Sequence, residues 1–287
     1  ELGRIRYRLL FIFALSITLT YVQEVVHLKS PLTIPALSLM GMALGIFLGF
    51  RNNTSYDRYW EGRRLWGSLI NSTRSLGRSI LHFSPEPALP SESVRRQIHR
   101  TIAFVHALRM QLREDMNVDA LEPYLSSEDR EFVASHKNVP NAVTLLMARD
   151  FAEQARRGEL SDFRFVDLAR QLEELTNIQG GCERIKNTPI PHSYSILIHR
   201  IVASYVFVLP FGLVQTLHLM TPLVVLLVAY TFLGLDAVGD ELEDPFGDDL
   251  NDLPLDALAR IVEVNLLQTL GDSDVPPLLE PVDGLLT

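Results

Sequence analysis

The sequence predicts an all-α polytopic membrane protein with four transmembrane helices and a helical cytoplasmic domain. Three observations lead there. Hydrophobic residues make up 47% of the 287, and mean hydropathy is +0.13 although 21% of residues are charged, which is too apolar for an ordinary water-soluble helical chain. Four apolar runs recur, each near the ~17–25 residues that a bilayer crossing requires. No window alternates apolar and polar residues as a half-buried strand would.

The four runs are residues 9–28, 34–50, 195–219 and 222–238. Buried helices of a soluble protein are the competing reading, but such runs without a polar face seldom recur four times in one soluble chain. The first is read as a span and not a secretory signal, because no small-residue cleavage site comes after it and the apolar run continues past Glu24. Arginines set the orientation. Arg4, Arg6 and Arg8 precede the first span, and Arg51, Arg58, Arg63, Arg64, Arg74 and Arg78 come after the second. The turn between spans one and two has only Lys29, and the turn between three and four has no Lys or Arg. The positive-inside rule then places both termini and the long middle region in the cytoplasm.

The middle region reads as helices separated by "SPEPALPSES" and "HKNVPN". Ser91 to Ser93 open one helix, Asn141 a second, and Ser161-Asp162 a third that Gly180-Gly181 should close. The expected divisions are 1–78 for the first transmembrane hairpin with its cytoplasmic continuation, 79–190 for the helical cytoplasmic region, 191–240 for the second hairpin, and 241–287 for an acidic segment and C-terminal helix or tail.

The second run and its polar continuation, "MGMALGIFLGFRNNTSYDRYWEGRRLWG", carry the sharpest signal. Gly41, Gly45 and Gly49 repeat every four residues, so they form one ridge of a helix and permit close helix packing in lipid. Beside them Met42, Ile46 and Phe50 form an apolar stripe. Copies gathered about an axis on their glycines would turn that stripe into a narrow apolar passage of the kind that gates by dewetting. The stripe equally suits lipid or a sister helix. Without a proline after Pro35, the helix should run on beyond the bilayer, with Tyr56, Tyr59 and Trp60 at headgroup level.

Other classes find little support. The segment 236–256 holds nine acids and no Lys or Arg, which accounts for the whole net charge of −9. No basic face with interleaved aromatics points to nucleic acid. Cys182 is the only cysteine, so neither an internal disulfide nor a cysteine metal site is available. A membrane-embedded enzyme lacks a His-Glu-x-x-His, Gly-x-Ser-x-Gly or phosphate-loop motif. A secondary transporter has only Pro210 in the third span in its favour, with no inverted repeat.

Two motifs resemble the bestrophin family: "IFLGFRNNTSYDRYWEGRRLWG" at the end of the second span, and "ELEDPFGDDLNDLPLD", with its Pro245-Phe246-Gly247 core, after the fourth. The resemblance implies a homopentameric ion channel around a central pore, with four spans and a large helical cytoplasmic part per subunit. It places Met42, Ile46 and Phe50 at the hydrophobic neck. It also implies a second constriction at the cytoplasmic exit, for which "RIKNTPIPHSY" offers Ile185 or Ile190.

The compact length and the "NN" and "EG" variants look like the bacterial branch, which implies a multi-pass protein of the bacterial inner membrane. That branch leans to monovalent cations such as Na+ and K+, with chloride and other anions as the alternative. The partners are then other copies of the chain, the lipid bilayer and permeant monovalent ions. No cofactor is required. In animal bestrophins the acidic segment clasps calcium, and Glu241, Asp244, Asp249 and Asp252 stand where side-chain ligands would lie, all offering the oxygens calcium takes. Here Leu250 and Asn251 interrupt the run of acids. The other reading is a solvated acidic cap before a helix that begins near Asp256.

Overall fold

A computed structural model describes residues 2–26, 32–83 and 90–281, and every regular element among them is helical. The predicted turn at Lys29 and most of "SPEPALPSES" lie outside the described residues. Three stretches, Ile5–Val26, Ile34–Phe83 and His192–Glu243, contain windows long and apolar enough to cross a membrane. The last of these is two helices joined by a 3-10 turn at His218–Met220. All four predicted apolar runs are therefore helical over their described residues. The chain forms two compact units, residues 1–59 with 189–245 and residues 60–188 with 246–287.

The first unit contains α1 (Leu2–Val26), the opening part of α2 (Ile34–Phe83), α7 (His192–Leu217) and α8 (Thr221–Glu243). Its core is a single apolar cluster that includes Ile5, Leu44, Leu48, Val202, Leu209 and Val225. The helices approach one another where side chains are small. A Cβ on Gly212 would collide with Leu37, and one on Gly41 would meet Tyr205 Oη at 2.5 Å. Pro210 sits inside α7 without ending it, as is tolerated in spanning helices whose neighbours satisfy the freed backbone groups. No transporter-style break occurs there.

The second unit is built on α3 (Glu92–Arg113), with residues buried all round its middle from Ile98 to Leu108, the pattern of a central helix. Around it stand α5 (Val139–Arg156), α6 (Asp162–Asn187) and α9 (Leu255–Leu270), with the short α4 (Ser127–Ala134) beside α5. The later part of α2 contributes Trp66, Leu69 and Leu76, each fully buried. Ser91 caps α3 as predicted, its side chain accepting from the Val94 amide. Asn138, and not Asn141, caps α5, because Pro140 already occupies its first turn. Gly180-Gly181 do not end α6. Gly181 is buried, and a Cβ there would meet Leu65 at 2.9 Å, so the glycine serves close packing within the helix.

A buried guanidinium pins this unit. Arg100 makes a two-pronged contact with Asp129, at 2.8 and 2.9 Å, and a third bond to Asp150 at 2.8 Å, a geometry that satisfies both charges in low dielectric. Cys182 lies fully buried in α6. Burial, with Glu183 and Glu61 nearby, pushes its thiol up to about 12, so it is not a nucleophile at neutral pH.

Candidate functional site

Helix α2 presents two unlike faces in the first unit. One packs inside the subunit through Leu37, Gly41, Leu44, Leu48, Arg51 and Ser55, at the three- and four-residue steps of a helix. The other is apolar yet open, with Met42 66%, Ile46 54% and Phe50 64% exposed. An apolar stripe of this kind is uncovered in the lone chain and marks a surface completed by lipid, partner or passage. Gly45 and Gly49 stand beside it with no atom within 4 Å of a built Cβ. Gly41 differs from the expectation for the glycine ridge, since it packs on Tyr205 of its own chain, and Tyr205 is held edge-on against Phe232.

The stripe ends at an ion network that was not legible as such in the sequence. The Arg51 side chain is completely buried, donating through Nη1 to Asp236 Oδ1 at 2.8 Å and through Nη2 to Asp240, with Glu243 at 3.9 Å. His199 of α7 joins it, its Nδ1 2.8 Å from Asp236 Oδ2 and its Nε2 3.4 Å from Asp240. Arg58 donates to the Glu243 carbonyl at 3.0 Å, and a Glu243 carboxylate oxygen accepts from the Ile190 amide at 3.1 Å. Gly239 makes room, because a Cβ there would meet Asn52 Oδ1 at 2.5 Å. The available signal was four-residue spacing of the α8 acids, which puts Asp236 and Asp240 on one face.

This network changes how the acidic segment is understood. Asp236, Asp240 and Glu243 surround Arg51, while in the second unit Arg113 contacts Asp248 and Asp256, and Arg109 contacts Asp256. Much of the acidic charge of segment 236–256 is therefore neutralised by arginine. The expected calcium ligands are divided between the units. Glu241 and Asp244 belong to one unit, and Asp249 and Asp252 to the other. The Asp249 amide donates to the Asp252 carboxylate at 2.7 Å. Among the described residues no group of three or more acids, histidines or cysteines is placed to hold a metal ion.

The exit candidates need correction as well. Ile185 and Ile190 are 2% and 8% exposed, and a residue that lines a passage has to be open in its own subunit. The second unit instead displays Phe163, 92% exposed in the first turn of α6, with Val166 64% exposed one turn on. The signal was an aromatic two residues after the Ser161 cap, in "SDFRF".

The sequence matches the family described as Bacterial/Fungal Bestrophin protein over residues 2–268. This chain belongs to that family. It is 42% identical over 281 residues to the voltage-dependent anion channel-forming protein YneE of Escherichia coli K12, covering 98% of this chain and 91% of that one. A relative from Nostoc, also called a voltage-dependent anion channel-forming protein, is 36% identical over 89% of this chain and 82% of its own. Among solved structures, a bacterial bestrophin homologue from Klebsiella pneumoniae superposes with a TM-score of 0.86 at 37% identity, covering 93% of this chain and 98% of that one. The all-helical fold is thus the bestrophin fold, and the apolar helices are those of a membrane protein from a channel family. The motifs at Phe50–Trp60 and Pro245–Gly247 both lie inside the matched range.

Proposed function

We propose that this bestrophin is a passive channel for monovalent anions, assembled as a homopentamer around the open stripe of α2. The observation that carries the pore is that one helix buries Leu44, Leu48 and Arg51 in its own subunit while leaving Met42, Ile46 and Phe50 uncovered. Gly45 and Gly49, where an added Cβ would meet no atom within 4 Å, suit close approach of a neighbouring copy. Three apolar rings one helical turn apart then make a neck of about 12 Å, at 1.5 Å per residue. An uncharged neck holds back hydrated ions until it wets, and leaves the choice of sign to charges on either side. Phe163 is the apolar side chain that best suits the exit constriction.

The sign rests on two supports. The relatives are named as anion channel-forming proteins. In the second unit the exposed side of α2 carries Arg63, Arg64, Arg74 and Arg78, none of them in an ion pair among the described residues. Exposed arginines raise the local concentration of anions. The cation reading implied by the resemblance to the bacterial branch gives way to the anion alternative, and much of the segment's acidity faces arginine. The arginine distribution further supports cytoplasmic termini in an inner membrane.

The deciding measurement is the reversal potential of the purified protein in planar bilayers under a tenfold KCl gradient. Anion permeation moves it toward the chloride equilibrium potential. A shift toward the potassium potential would defeat the anion reading, and no current at all would defeat the channel.

A further inference from the structure

We infer that the cleft between α1, α7 and α8 is a binding site for one anionic phospholipid. The cleft encloses about 850 Å³, within the range of sites that hold ligands of drug size. Its walls are apolar: Phe11 and Ile12 from α1, Val206 and Phe207 from α7, and Leu233 from α8. Its mouth is cationic, with Arg8 and Arg200, both exposed, contributed by two different helices. The numbering shows how these parts are arranged. Arg8 precedes Phe11 on α1 and Arg200 precedes Phe207 on α7, so charge gathers in the N-terminal part of each helix and the cleft turns apolar as they advance. From Arg200 to Val208 a helix rises about 12 Å. A charged mouth over an apolar depth of that length fits the headgroup phosphate and first part of the acyl chain of a lipid.

Charge decides the kind of lipid. Neither Arg8 nor Arg200 has an ion-pair partner among the described residues. The carboxylates behind them, Asp236 and Asp240, are already engaged by Arg51 and His199. The mouth therefore keeps a surplus of positive charge. A zwitterionic headgroup brings its own ammonium into that field, whereas an anionic one brings only the phosphate that guanidinium groups bind in two-pronged fashion. The inference rests on membrane placement of these helices and not on ion conduction.

The test is native mass spectrometry of the detergent-purified protein titrated with dioleoyl-phosphatidylglycerol or dioleoyl-phosphatidylcholine. We expect phosphatidylglycerol to be retained about tenfold more tightly than phosphatidylcholine, and Arg8→Gln combined with Arg200→Gln to abolish that preference. Ser204→Trp, which fills the exposed cleft wall and keeps both arginines, should expel the lipid as well, so the idea stays testable if the double variant folds poorly. Arg6→Gln, on α1 but outside the cleft lining, should retain the preference. Equal retention of the two lipids overturns the proposal, as does an equal loss in Arg6→Gln, which would mean general surface attraction. Loss of subunits from the assembly in the cleft variants, with no change in lipid retention, would assign the cleft to a neighbouring copy instead.

Discussion

Arg51 donates to Asp236 at 2.8 Å with its guanidinium wholly out of solvent, and the two residues lie 185 positions apart in the chain. Removing one partner strands the other in a medium of low dielectric. Arg51→Ala is expected to cost about 3–5 kcal/mol and to lower the melting temperature in detergent sharply. Arg51→Met paired with Asp236→Leu should recover part of that loss, because the buried pair is exchanged together for apolar side chains while the half-exposed Asp240 keeps His199 as its neighbour. Equal melting temperatures for Arg51→Ala and the native protein would refute the arrangement.

Replacing Met42, Ile46 and Phe50 together by alanine should raise single-channel conductance without destabilising the subunit. All three side chains are more than half exposed in the chain, so little packing inside the subunit is lost, while a neck lined by methyl groups wets more readily. Phe163→Ala should add to the effect at the exit, whereas Ile185→Ala should cost about 2–5 kcal/mol of stability for a buried large-to-small change. Conductance unchanged in the triple variant would take the stripe out of the permeation path.

The three glycines of α2 should respond differently to alanine. At Gly41 the new methyl group would meet Tyr205 Oη at 2.5 Å, and Tyr205 is braced by Phe232, so the subunit itself should lose stability. Tyr205→Phe added to Gly41→Ala should relieve part of that loss. At Gly45 and Gly49 the chain offers no obstacle, and alanine is worth about 0.8–1 kcal/mol over glycine inside a helix. In the proposed assembly, harm from those two changes arises at a neighbouring copy, and would show as a loss of assembled oligomer on size exclusion with light scattering.

The acid limb of stability should depend on Glu263. Burial works against its charged form, but hydrogen bonds from His106 and from Tyr124, at 3.3 and 2.5 Å, outweigh it and hold the carboxyl below its usual value of 4.5. A carboxyl depressed in the folded state adds stability above its unfolded value, and that stability is lost as pH falls through the folded value. Thermal melts between pH 6 and pH 3 should therefore fall less steeply in Glu263→Gln than in the native protein. Parallel curves would remove Glu263 as a source of the acid limb.

Periodicity made the helices readable, because burial in lipid or in a core imposes the same 3.6-residue repeat on every long element. Hence the apolar runs around Leu44, Val202 and Val225, and the cap at Ser91, fall where the sequence puts them. What stayed hidden depended on pairing across distance. Nothing near Arg51 announces Asp236, so the acids at 236, 240 and 243 read as free charge although they are partners of arginine. Gly180-Gly181 look like a helix stop because backbone freedom and close packing demand the same residue, and only the position of Leu65 tells them apart. Ile185 and Ile190 are apolar, but apolarity alone cannot separate a core residue from a lining one, while Phe163 needed its exposure to be known.

Arg51 also bears on how the chain must be made. A ribosome delivers it long before Asp236, Asp240 and Glu243 exist, so a half-finished chain carries a guanidinium with no counterion at the edge of its second greasy segment. The nascent protein has to keep that end of the segment near water or in the insertion machinery until the last spanning helix arrives. Chains truncated before Asp236 should then remain bound to the insertion apparatus or be degraded, whereas chains extended past Glu243 should be released into the bilayer.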